Sequence, residues 1–469
     1  MKRRTFNTLP FFALGLGFTS CNPFPFHSDS PPRERGIELT GENDSNSFAA
    51  QNQLNWMGHW LREDKREVLV REVAQEFSFL HQNIALKLKF WQQLNLAHKP
   101  GTAKAIASAI RSGKLDWDIV WLDEDIYTLV SEELGNPKWG EQHLVNFEEV
   151  AGFTETQKPF IIQDPSYRNQ TGGFLVGPYI EGYYHALFYN KNVAAQIGIK
   201  IKYEGMTFDD LLGYAEAVNL YNRQTKNNIA TFYESKDWMT LEILFQNLVK
   251  SEILDFKEAK SEVGSSEKNA ALFKTLQALE TLGKFNPLIP SHRENNWANT
   301  RHLMLDDRAL FYVNGTWMYS HWHGMDAQKM SKIVPVELPS FQKTNHYLGG
   351  YIPTWGVLKN SKNRDSAIKL LMNWCTPKVA EKWVRYTRNP TGIRGNLAVA
   401  ESGIDSFGEF QSDITARYGA NVHYSNYTGY LFGAKNRNLS KVLHQQIRNL
   451  LAGEITAKNS YQQILSKIQ

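Results

Sequence analysis

The sequence predicts an α/β protein of two or three globular lobes. Strand-like segments alternate with amphipathic helical segments from Leu54 onward, and 469 residues exceed what one ordinary core organises. At 42% hydrophobic and 21% charged residues, the chain is neither a disordered polymer nor a multispan membrane protein. Its 52 Lys and Arg against 48 Asp and Glu lack the basic excess of a dedicated nucleic-acid binder, so no nucleic-acid partner is expected. Two cysteines exclude a disulfide framework and a Cys-rich metal module. The 13 Trp, 20 Tyr and 26 Phe fill a large core, and they also suit a ligand with flat apolar faces.

Residues 1–20 read as an export signal. Lys2, Arg3 and Arg4 precede a short apolar run, Leu9 to Phe18, too short to span a bilayer. These three basic residues account for most of the formal +4. Phe18-Thr19-Ser20-Cys21 resembles the lipobox of bacterial lipoproteins, which implies lipid attachment at Cys21 and a periplasmic protein anchored to a membrane. Phe18 departs from the aliphatic residue usual at its position. Residues 21–53, rich in Pro, Gly, Asn and Ser, have too little apolar surface to pack and read as a tether.

The elements follow in order. Leu54 to Trp60 reads as a first strand running into a loop, and Asp64 onward as a helix with Leu69, Val73, Phe77 and Leu80 on one stripe. Ile84 to Phe90 alternates as a second strand, Thr102 to Arg111 forms a helix, and Trp117 to Trp121 forms a third strand. Helical crossovers between these strands imply a parallel sheet, with ligands beyond its carboxyl ends, where Trp56–Trp60 and Asp123-Glu124-Asp125 lie. His185 to Tyr189 reads as a strand, and Thr207 with Asp210 opens a helix through a capping-box-like start. Further helices are expected at Thr240–Lys250 and Ala270–Leu282. Ala309 to Val313 reads as a strand stopped by Asn314-Gly315, Val334 to Pro339 and Gly349 to Leu358 as extended chain, and Arg364 to Trp374 as a helix.

Six segments in this order carry a resemblance. They are Leu54–Leu80, Asp116–Asp123, Tyr184–Lys191 with Met206–Leu212, Ala309–Trp317, Gly349–Val357 with Ser361–Ala367, and Asn389-Pro390-Thr391-Gly392-Ile393-Arg394. Together they resemble the bacterial extracellular solute-binding proteins of the sugar-binding type, which serve ABC importers. The resemblance implies a periplasmic-binding-protein fold: two α/β lobes, each a mainly parallel sheet flanked by helices, joined by hinge crossings and closing on a ligand. It places the crossings near Gly182–His185 and Leu338–Gln342. The first lobe is then 54–182 plus 339–380, and the second 184–337 plus 381–469 with the C-terminal helices. It implies no catalysis and no cofactor, a sugar or glycoside ligand, ABC permease subunits as partners, and a monomer.

A sugar offers C–H faces and many hydroxyls, so its site needs aromatic plates beside charged and amide groups. Trp317 stands where the family often has a stacking aromatic, and Trp238 resembles a cleft position of the family. Trp56 and Trp60 follow the first strand, Trp355 lies in a later one, and each faces either cleft or core. Asp123 and Asp125 are acceptors in a loop after a sheet strand, with a solvated acid or helix cap as the plainer reading. Arg394 is a donor in a turn, and Tyr179, Tyr183 and Tyr351 lie near hinge or strand ends. His321-Trp322-His323 offers two imidazoles on one strand face, without the third ligand a metal needs. Cys375 reads as a core thiol. A polyamine or other non-sugar solute, a glycosidase using Asp123 with Glu181, and a scaffold lipoprotein stay open as alternatives.

Overall fold

The computed structural model describes residues 53–253, 265–395, 405–419, 421–423, 431–432 and 439–468. The export signal, Cys21 and nearly all of the tether lie outside them. No helix among the described residues is long and apolar enough to cross a membrane.

Two mixed α/β sheets flanked by helices organise the chain, as expected. The first has the order β2-β1-β3-β9. It contains β1 (Gln53–Gly58), β2 (Ala85–Phe90), β3 (Ile119–Trp121) and β9 (Trp355–Val357). β1 pairs in parallel with β2 and β3, while β9 returns antiparallel to β3. The pleat explains the β2 pattern: Leu86, Leu88 and Phe90 are buried, whereas Lys87 and Lys89 are half-buried on the other face. Helix α1 (Lys65–Leu80) buries Leu69, Val70, Val73, Ala74 and Phe77. Leu80, expected on the same stripe, is 62% exposed, because the stripe drifts off the core at the helix's last turn. Helices α2 (His98–Ser112) and α3 (Glu124–Leu134) pack on each other.

The second sheet has the order β10-β8-β4-β6-β5, with β7 on β4. Its centre is the ten-residue β4 (Glu181–Asn190), flanked by β6 (Ala309–Gly315), β7 (Ile333–Val336) and β8 (Tyr347–Ile352). All three run antiparallel to β4, so the mainly parallel character expected of both sheets holds only in the first. β5 (Ala230–Phe232) and β10 (Val422–His423) add parallel pairs at the edges. One face of β4 sends Tyr184, Ala186 and Phe188 into a core continuous with the first lobe. The other face sends Leu187 against α4 (Phe208–Thr225), α5 (Leu241–Glu252) and α6 (Ser266–Gly283). The C-terminal helices 439–451 and 457–465 pack on α6.

Tyr347–Ile352 pairs with β4 of the second sheet, and Trp355–Val357 pairs with β3 of the first. Helices α8 (Arg364–Trp374) and α9 (Pro377–Thr387) both pack on α1, which keeps the chain with the first lobe beyond residue 380. A third crossing, at Asn389–Arg394, runs beside the first: the Gly392 amide donates to the Tyr179 carbonyl at 2.8 Å. A Cβ on Gly182 would lie 2.6 Å from the Pro390 carbonyl oxygen, so only glycine lets these two crossings touch.

The capping box that opens α4 forms as the sequence predicts. The Asp210 amide donates to Thr207 Oγ1 at 3.1 Å, and the Thr207 amide donates to Asp210 Oδ2 at 2.8 Å. Thr207→Ala is expected to cost about 1 kcal/mol. That should lower the second lobe's melting midpoint by about 2–4 °C in a calorimetric scan.

Candidate ligand cleft

The elements that meet between the sheets are the carboxyl ends of β1 and β3, the start of β4, and the end of β6. After β1 the chain turns sharply into α1 through Trp60, Arg62 and Asp64, with φ of 73°, 63° and 47°. Such conformations cost about 1–2 kcal/mol each in non-glycine residues and cluster at functional sites. The turn sets Arg66, in the first turn of α1, against the hinge. Arg66 is 3% exposed, and its Nη1 donates to Glu63 Oε2 at 3.2 Å and lies 3.7 Å from Glu181 Oε1 at the start of β4. Its guanidinium carbon sits 5.5 and 5.4 Å from the ring centroids of Trp60 and Trp383. Burial pushes the Glu181 carboxyl up to about 7, with Arg66 pulling it down and Glu63 pushing it further up. Burial likewise raises Glu63, against the pull of Arg66.

Asp123 and Asp125 are organised by a lysine that composition and pattern did not single out. Asp123 caps α3, accepting from the Ile126 amide at 2.8 Å, and its other oxygen lies 2.8 Å from Lys99 Nζ. Lys99 also reaches Asp125 at 2.6 Å. Burial works against the Lys99 charge, but the two carboxylates outweigh it and raise its pKa. Both Asp123 oxygens are thus engaged, and the helix-cap reading is the one its geometry follows, while Asp125 keeps a 60% exposed carboxylate. Above these groups, Trp121 stacks on His59 at 4.2 Å and on Trp91 at 5.3 Å, and Trp91 Nε1 donates to His59 Nδ1 at 2.9 Å.

The second lobe contributes an aromatic wall. Trp317 follows Gly315, and its ring folds back so closely that a Cβ at residue 315 would meet it at 2.1 Å. Thr316 fixes the strand end: its Oγ1 accepts from the Tyr184 amide at 3.1 Å and donates to Asn389 Oδ1 on the third crossing. Trp317 lies nearly parallel to Trp238, 11° between planes and 6.2 Å between centroids. That spacing is too small to admit a sugar between two plates, so the rings make one platform. Trp297 meets Trp238 edge-on at 5.3 Å, Tyr183 meets Trp317 at 5.0 Å, and Trp238 keeps 37% of its surface exposed.

The other expected residues stand elsewhere. Trp56 and Trp355 are fully buried, 5.1 Å apart, and both pack on Trp374 of α8, so they belong to the first-lobe core. Trp60 is also 1% exposed, between Trp355 and Trp383, though it borders Arg66. Tyr351 is buried in β8, its hydroxyl 3.1 Å from that of Tyr184, and Tyr179 is buried with its hydroxyl donating to the Tyr167 carbonyl. Arg394 is exposed, and its Nε donates to the Gln157 carbonyl at 2.6 Å, pinning the third crossing rather than entering the aromatic wall. His321 and His323 lie on helix α7 (Met318–Met330), not a strand, and two residues of helix turn them apart. His323 pairs with Asp64 across the lobes at 2.9 Å, and His321 meets Arg301. No group of three side chains able to hold a metal occurs among the described residues. Cys375 is buried, as expected of a core thiol.

A family model for bacterial extracellular solute-binding proteins matches residues 95–402. A search of curated proteins returns no match. Several solved structures share the fold at low identity. RafE of Streptococcus pneumoniae in its apo form is 11% identical with a TM-score of 0.63, covering 90% of this chain and 99% of that one. The GacH receptor of Streptomyces glaucescens, solved unliganded and with acarbose, is 14% identical at a TM-score of 0.62, covering 89% and 98%. Maltose-bound MalE3 of T. maritima is also 14% identical at 0.62, with the same coverage. The family match extends over more than half of the sequence, and the chain belongs to the bacterial extracellular solute-binding proteins.

Proposed function

We propose that this chain captures a sugar, an oligosaccharide or a glycosidic osmolyte between its lobes and delivers it to an ABC importer. It would do so from the periplasmic side, held at a membrane by a lipid on Cys21. The observation that carries the ligand class is the Trp238–Trp317 platform, walled by Trp297 and by Tyr183, which stands two residues along β4 from Glu181 and its charged neighbours Arg66 and Glu63. Apolar plates beside fixed charges are what a polyol with C–H faces requires. The fold-sharing proteins solved with maltose and acarbose support the same ligand class. In this reading Trp238, Trp317, Tyr183 and Asp125 contact ligand, and Trp297, Arg66 and Glu181 join them. The lobes are residues 53–180 with 353–394, and 181–352 with the C-terminal helices.

A polyamine would need uncompensated acids. Here Lys99 lies against Asp123 and Asp125, and Arg66 against Glu63 and Glu181, which favours the sugar. Ligand would bind the closed arrangement better than the open one and thereby stabilise it. A thermal-shift panel of sugars, glycosidic osmolytes and polyamines on the mature protein tests this. A ligand at 100 times its Kd should stabilise by about 2.7 kcal/mol. Shifts from polyamines alone would reject the sugar reading, and turnover of a reporter glycoside would replace binding by catalysis.

A further inference from the structure

The proton position on His59 is fixed by its neighbour. An indole N–H only donates, so the 2.9 Å bond from Trp91 Nε1 requires an unprotonated His59 Nδ1. A neutral imidazole then carries its hydrogen on Nε2. Burial, followed by the charges of Arg66, Lys99 and His98, holds the ring well below the usual histidine range and keeps it neutral. Nε2 forms no hydrogen bond among the described residues, and it is not sealed off inside the protein.

The same bond makes a plate. His59 and Trp91 both stack on Trp121, at 14° and 20°, and a 2.9 Å bond leaves no room for Trp121 between them. They therefore lie side by side on one face of Trp121. Trp121 is 3% exposed and backs the pair, while His59 and Trp91 are only half-buried. The plate stands where open α/β sheets take their ligands, beyond the carboxyl ends of parallel strands. His59 follows β1, Trp91 follows β2, and Trp121 ends β3. Direct contacts link it to the second-lobe platform. His59 meets Trp60 at 5.1 Å between centroids, and the Arg66 guanidinium lies 5.5 Å from Trp60 and 3.7 Å from Glu181. Tyr183, two residues on along β4, meets Trp317 at 5.0 Å.

We propose that the Trp91–His59 plate is a saccharide subsite in the first lobe, with His59 Nε2–H donating to a sugar hydroxyl or ring oxygen. This rests on the saccharide reading above. Trp91 acts twice: its ring faces the sugar's C–H groups, and its N–H sets the tautomer that makes His59 a donor. Water accepts from Nε2 in the open protein, and a ligand oxygen replaces that water on closure. A neutral donor suits this exchange, because drying it costs far less than drying a charge.

The test has two arms, both on the mature protein. In the first, NMR of isotope-labelled histidine ring nitrogens reads the tautomer at pH 7 without ligand, the His59 signals being those lost in His59→Asn. The Nε2–H form is expected, and Trp91→Phe, which keeps a ring but no N–H, should give a mixture of tautomers. An Nδ1–H form or an imidazolium in the wild type would overturn the proposal. In the second, calorimetry with maltose, raffinose, xylobiose and glucosylglycerol selects the tightest ligand for the variants. His59→Gln, whose amide nitrogen can take the place of Nε2, should stay within about threefold of wild type. His59→Asn, too short to reach that place, should bind about tenfold more weakly. An equal loss in both variants would overturn the donor role. Wild-type affinity in His59→Asn would overturn the subsite and leave the saccharide reading standing on the Trp238–Trp317 platform. Binding of none of the four would remove both.

Discussion

Trp317→Ala is expected to weaken saccharide binding by about 2 kcal/mol, close to thirtyfold in Kd, because it removes a central aromatic plate rather than a rim contact. The ring is partly exposed at the end of β6, and its neighbours Trp238, Tyr183 and His185 are aromatic. Truncation therefore deletes a stacking face and leaves the polar groups at Glu181 and Arg66 in place. Trp317→Phe preserves a plate of smaller area and should recover part of the loss, which a merely structural tryptophan need not do. Calorimetry on the folded variants decides the matter. Unchanged affinity in Trp317→Ala would remove Trp317 from the site and move the platform to Trp238 and Trp297.

The parts of this architecture that were legible in the sequence are those governed by local period and capping. The alternation of Leu86, Leu88 and Phe90 fixed a strand, and Thr207 with Asp210 fixed a helix start, because each signal is complete within a few residues. The Asn-Gly before Trp317 was legible too, since only glycine at 315 lets that ring fold back. The antiparallel centre of the second sheet was not legible: β4 finds β6, β7 and β8 more than a hundred residues away, and strand pairing carries no local mark. Tryptophans misled for a related reason. Trp56 and Trp238 look alike in sequence, and only the neighbour Trp374 or the open edge decides core or cleft. Arg66 did have a signal. It stands four and seven residues before Val70 and Val73, on the buried stripe of α1, where a charge must find a partner. Lys99 and Arg301 had none, because their partners come from elsewhere in the chain.

Glu181→Gln is expected to raise stability at pH 8 and to leave it nearly unchanged near pH 4.5. The carboxyl's pKa is raised in the folded protein to about 7, chiefly by burial and despite Arg66. The folded state therefore holds a proton on Glu181 that the unfolded chain has already released, through the window between the ordinary glutamate value and about 7. Across that window the wild type loses stability as pH rises, because ionising Glu181 costs more at its buried position than in water. Glutamine keeps the shape and cannot ionise, so the loss disappears. The difference between variant and wild type should grow from near zero at pH 4.5 to on the order of 2 kcal/mol at pH 8. Arg66 stays paired with Glu63 in the variant, so no guanidinium is stranded. Chemical unfolding at several pH values measures it. A variant less stable than wild type at pH 8 would mean that Arg66 overcomes burial and that Glu181 works as an ordinary buried ion pair.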